Sequence, residues 1–109
     1  MRLIDKEELR AKVERGDNFW LLMALDRWAY DLAHIPGSLH FESVEEAMAR
    51  IDPDEEVVVY CSNYLCPASI QAYQVLKENG YRNLRRFAGG LAEWQAAGYP
   101  LEGNLEGQV

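Results

Sequence analysis

The 109 residues are 49% hydrophobic and 27% charged, which is enough apolar material for one folded core and excludes a disordered chain. Eighteen acidic against eleven basic residues leave a formal charge of −7, which argues against nucleic acid, an anionic membrane or any polyanion as the main partner. A small anion needs only a local pocket. The two cysteines are too few for a disulfide-stapled scaffold. The longest apolar run, Phe19 to Leu25, is too short to span a bilayer, and the first residues show no signal-peptide apolar stretch. The expected setting is a reducing cytoplasm.

In chain order, Asp5 followed by Glu8 is a capping-box-like start, and Leu9 and Val13 continue at helical spacing until Gly16. Phe19 to Leu25 reads as a strand buried on both faces of a parallel sheet. Asp26 is placed to cap a short helix through Ala33, and Ile35-Pro36-Gly37 makes a turn. Ser43 with Glu46 is a second capping box, for a helix ending near Ile51. Glu56-Val57-Val58-Val59-Tyr60 is the strongest strand signal. Pro67 suits a first helical turn, and the helix it opens closes at Asn79-Gly80. Asn83 to Phe87 reads as a further strand, Gly89-Gly90 as a tight turn and Leu91 to Ala97 as a last short helix. The polar stretch 102–109 reads as a frayed tail of this single domain, 1–109. Strands alternating with helices predict an α/β fold: an open, mostly parallel sheet with helices on both faces.

In such sheets ligands bind beyond the carboxyl ends of the strands. The loop Ser62-Asn63-Tyr64-Leu65-Cys66-Pro67 lies there, between the Val57–Tyr60 strand and the helix behind Pro67. Cys61 opens it. Loop amides and the positive end of the helix dipole favour a thiolate, and an anion beside it, over a neutral thiol. A depressed Cys61 pKa is therefore expected. The plainer alternative is an inert buried thiol at a strand end.

Four stretches carry a family resemblance. His34-Ile35-Pro36-Gly37-Ser38 resembles the "HIPGA" turn of rhodanese-like domains, and Val57 to Cys61 resembles their strand into the active-site cysteine. Gly80-Tyr81, Asn83-Leu84 and Phe87-Ala88-Gly89-Gly90-Leu91-Ala92-Glu93-Trp94 are similar to their "GY..V..L.GG...W" ending. The order and spacing hold from about Leu3 to Gly103. The resemblance implies a single rhodanese-like α/β domain. It also implies that Cys61 carries sulfane sulfur as a persulfide and passes it to a nucleophile, with no cofactor and no metal.

The chain departs from that pattern in two places. The family's "DVR"-like segment falls on Met23-Ala24-Leu25, with Asp26 and Arg27 just beyond it. The loop usually holds a glycine and an Arg-Ser pair. Here it runs Ser62-Asn63-Tyr64-Leu65-Cys66-Pro67-Ala68-Ser69, about one residue longer, with no basic residue before Lys77. Displaced sulfite needs stabilising, and a charge-assisted contact from arginine is roughly twice as strong as a neutral one. The helix dipole supplies only about 0.3–1 kcal/mol, so thiosulfate turnover is expected to be low. The same lack of a cation disfavours the phosphoryl chemistry of the phosphatases related to this fold.

Other residues have mostly structural readings. His34 reads as a turn-fixing hydrogen-bond group, His40 has no companion ligand, and Trp94, Trp20 and Phe19 read as core. Arg27 and Trp28 stand near the expected pocket rim, Arg27 being the first candidate for a cation from outside the loop. Arg85 and Arg86 are neighbours on a strand, so one must point to each face. The cluster Asp52, Asp54, Glu55, Glu56 reads as a solvated turn.

Three functions follow. The first is a sulfurtransferase using Cys61, fed by a small persulfide or a persulfide-carrying protein. The second is a dithiol redox protein in which Cys66 resolves the Cys61 persulfide or sulfenate. The third is a catalytically silent binding module.

Overall fold

The structure is a computed structural model that describes residues 1–104. Asp5 caps helix α1 (Lys6–Arg15) by accepting the Glu8 N–H at 2.8 Å, and Gly16 ends it with φ of 69°. Strand β1 (Trp20–Met23) follows, then α2 (Arg27–Leu32) and α3 (Val44–Arg50). Ser43 accepts the Glu46 N–H at the start of α3, and the Glu46 carboxylate reaches back to the Glu42 N–H. Strand β2 (Glu56–Tyr60), helix α4 (Ala68–Glu78), strand β3 (Asn83–Phe87) and helix α5 (Gly90–Ala96) complete the order.

The three strands form one parallel sheet in the order β1-β2-β3. Both crossovers step in the same direction. Because such crossovers are right-handed, the long crossover helices α3 and α4 belong on one face. Ala47 and Ile51 of α3 and its end, with Tyr73 and Leu76 of α4, pack there against Leu22, Val57, Val59 and Leu84. The alternate residues Leu21, Met23, Val58, Tyr60 and Phe87 pack on the other face against Leu9 of α1 and Trp94 of α5. Single bridges from Leu39 to Leu22 and from Leu3 to Arg86 extend the pairing beyond β1 and β3.

Three expectations need correction. Strand β1 is shorter than the Phe19–Leu25 apolar run, although the Ala24 N–H still donates to Tyr60 at 2.7 Å. Asp26 occupies the N-cap position of α2 but makes no side-chain cap bond. The tail is not frayed at its start, because backbone pairing holds it there. Glu102 exchanges N–H···O bonds of 2.9 Å with His34, and the Asn104 N–H donates to Asp31 at 2.9 Å. The rest of the expected tail, 105–109, lies outside the described residues. Among the described residues, no helix is long and apolar enough to cross a membrane.

Candidate active site

Cys61 is the first residue beyond the buried end of β2 and is 1% exposed. The chain then reverses. Asn63 accepts the Leu65 N–H on its side chain at 2.9 Å and the Cys66 N–H on its carbonyl at 3.3 Å. Helix α5 clamps the other side of the loop: Leu91 N–H donates to the Cys61 carbonyl and Ala92 N–H to that of Ser62, both at 2.8 Å. This approach needs glycine at 90. Its φ is 63°, and a Cβ there would overlap the Cys61 carbonyl oxygen. Pro67, at the N-cap of α4, then turns the chain back over the sulfur.

The single Cys61 S–H has two acceptors in reach, the Cys66 carbonyl at 3.4 Å and the Ser69 hydroxyl at 3.3 Å. Burial pushes this thiol up, and the Cys66 side chain adds to the effect. The Ser69 hydroxyl and N–H pull the other way without cancelling it. The depressed Cys61 pKa expected from the helix end is therefore corrected, because desolvation outweighs the local dipoles. Burial also pushes Cys66 up, but bonds from the Cys61 thiol, from the Ala68 and Ser62 N–H groups and from the Ser62 hydroxyl bring it below its ordinary value. The pair is thus shifted in opposite directions, Cys61 up and Cys66 down. Both cysteines are free thiols.

The other singled-out loop residues face outward: Tyr64 is 66% and Leu65 90% exposed, while Ser62 is half-buried and Asn63 and Pro67 are exposed. Arg27 is engaged by Asp31 at 3.3 Å and Glu42 at 4.0 Å, with no polar contact to the Cys61 loop. Trp28 is 74% exposed. His34 stacks on Tyr30 at 3.9 Å, with Nδ1 2.7 Å from the Tyr30 carbonyl, as a turn-fixing group would be. The acidic turn is less solvated than expected, since Glu56 meets Lys12 at 2.7 Å and Arg85 at 3.5 Å.

Two features escaped the sequence reading. Tyr60 reaches out of β2 to the turn, accepting the Ile35 N–H at 3.0 Å and meeting the Ser38 hydroxyl at 2.9 Å; burial pushes its phenol up to about 12. Arg86 is buried, and its Nε–H donates to the Ser69 hydroxyl at 2.8 Å. Strand alternation requires one of the two arginines to face α4, but only the tertiary contact shows that this one meets the cysteine's own hydrogen-bond partner.

Known proteins resemble this chain in sequence and fold. A segment of "HTH-type transcriptional regulator Rv0324" of Mycobacterium tuberculosis is 29% identical over 101 residues, covering 91% of this chain and 44% of the regulator. The chain thus spans less than half of that protein. "Thiosulfate sulfurtransferase GlpE" of Actinobacillus succinogenes is 33% identical over 88 residues, covering 79% of this chain and 78% of that one. The rhodanese-like domain of the Alr3790 protein from Anabaena superposes with a TM-score of 0.88 at 27% identity, covering 100% of this chain and 84% of that one. A profile of the rhodanese-like domain matches residues 5–97. With that profile matching residues 5–97, the chain belongs to the rhodanese-like domain family.

Proposed function

We propose that this domain is a sulfurtransferase that carries sulfane sulfur as a persulfide on Cys61 and draws it from a donor other than thiosulfate. One observation carries the reading: the Cys61 thiol stands at the end of β2, under the first turn of α4, with Ser69 and Cys66 as its polar partners. In the loading step the Cys61 sulfur, its proton passed to the Cys66 thiolate or to water, attacks the outer sulfur of a persulfide R–S–SH. A Cys61–S–SH bond forms and RS⁻ leaves. A small persulfide or a persulfide-carrying protein fits this step, and two free thiols fit a cytoplasmic setting. Thiosulfate instead expels sulfite, whose two charges need a cation at the mouth of the loop. The loop has none, and Arg86 is only 7% exposed. Turnover assays with cyanide as acceptor test this, and a low-molecular-weight persulfide should outperform thiosulfate by at least about tenfold, the value of roughly one lost charged contact. Equal turnover of the two donors would contradict it.

The proximity of the two thiols supports a second reading, in which Cys66 is a resolving thiol. Its thiolate attacks the Cys61 sulfur of the persulfide, forming the Cys61–Cys66 disulfide and releasing HS⁻, and a cellular thiol then reduces the disulfide. A Cys61 persulfide that outlives the wild-type one in Cys66→Ser favours this reading. Identical decay in both proteins, with no disulfide in the wild type, leaves Cys66 structural.

A further inference from the structure

We propose that Arg86 is a positioning residue for the Cys61 sulfur, acting through the Ser69 hydroxyl to hold that sulfur as an anion. The inference rests on Cys61 as the nucleophile and adds what balances its charge. Arg86 lies on β3, on the same face of the sheet as Leu84 and towards α4. Its Nε–H donates to Ser69 at 2.8 Å, and the Ser69 oxygen is 3.3 Å from the Cys61 sulfur. Ser69 is 0% exposed. The guanidinium stands two hydrogen-bond lengths behind the thiol.

A second observation is independent of that chain. The Nη2 of Arg86 is buried and has no hydrogen-bond partner, and among the described residues no carboxylate lies within ion-pair distance of the side chain. Arg85, its neighbour in sequence, is held by Glu8 at 2.8 Å and Glu56 at 3.5 Å. A buried guanidinium keeps its proton and is costly without a counter-charge. The anionic sulfur of Cys61, as thiolate or persulfide, supplies that charge.

The hydroxyl transmits the effect because its capacity is small: one proton and two lone pairs. Arg86, which can only donate, occupies one lone pair. While Cys61 is a thiol, its S–H takes the other. Once the sulfur is an anion, the Ser69 proton turns to it, and the Arg86 bond polarises the hydroxyl in the same direction. No proton leaves Ser69 or Arg86 at any point. Cys66 is the other ionisable group in contact with the sulfur.

The test therefore uses the Cys66→Ser background and follows alkylation of Cys61 by iodoacetamide against pH, read by mass. Arg86→Gln and Ser69→Ala should each move the midpoint up by about one pH unit, slowing alkylation at neutral pH about tenfold, as expected for loss of a nearby opposite charge. The two changes together should add little to either alone, since both cut the same chain. Arg86→Lys, which keeps the charge without the planar fork, should fall between. An unchanged midpoint in folded Arg86→Gln, judged by its thermal melt, overturns the proposal. If that variant does not fold, an unchanged midpoint in Ser69→Ala overturns it instead. Alkylation reads the thiolate and not sulfur transfer. A protein that alkylates as expected but takes up no sulfur therefore contradicts only the carrier reading.

Discussion

Cys61 and Cys66 lose their protons as a pair, and their surroundings decide the order. The deeply buried Cys61 keeps its proton while the less buried Cys66, with donors around its sulfur, gives one up. The resulting thiolate is a further acceptor for the Cys61 S–H and repels a second negative charge, so both effects hold the Cys61 proton in place. Replacing Cys66 by Ser removes them. The Cys61 midpoint for alkylation should move to lower pH in Cys66→Ser, and in the wild type rising pH should expose Cys66 to the reagent first. Labelling of Cys61 before Cys66 in the wild type would contradict this order. The position of Cys61 was legible, because a cysteine between a valine-rich strand and a helix-opening proline is a local pattern. Its environment was not. Ser69 and Arg86 are 17 positions apart and meet only when β3 lies beside β2 under α4.

Among the elements, the turn into α5 shows how a short motif governs a distant loop. Gly16 and Gly90 have nearly the same backbone, with φ of 69° and 63°. Their surroundings differ. A Cβ at Gly16 meets nothing within 4 Å, whereas one at Gly90 overlaps the Cys61 carbonyl oxygen and lies 2.9 Å from Asn63 N. Gly16→Ala should cost about 1 kcal/mol of stability from its left-handed backbone and leave Cys61 alkylation as it was. Gly90→Ala should cost about 1–3 kcal/mol and also change the Cys61 rate, because the cysteine loop must shift. Denaturant unfolding and alkylation check both, and equal behaviour of the two variants would contradict the account. Helix ends set by side chains, at Asp5 and Ser43, were readable from spacing. The ends of β1 were not, since an apolar run records burial and not where pairing stops.

Across the whole molecule, the proposed choice of donor rests on charge and burial. A net charge of −7 and a loop without a cation disfavour a dianion at its mouth in that proposal. In the proposed role, the buried Arg86, bonded to Ser69, balances a single anionic sulfur from behind. The parallel sheet, the two helical layers and the position of the cysteine loop were legible in the alternation of apolar runs with glycine and proline. The closeness of the two thiols was expected only as one alternative, because it depends on a loop folded by Asn63 and clamped by α5. The central claim is that Cys61 carries the sulfur. Its most direct test is the mass of the reduced protein after treatment with a low-molecular-weight persulfide, followed by mapping of the modified peptide. Wild type should gain one sulfur atom on Cys61, and folded Cys61→Ser should gain none. Sulfur mapped to Cys66, or gained equally by the Cys61→Ser variant, would contradict it.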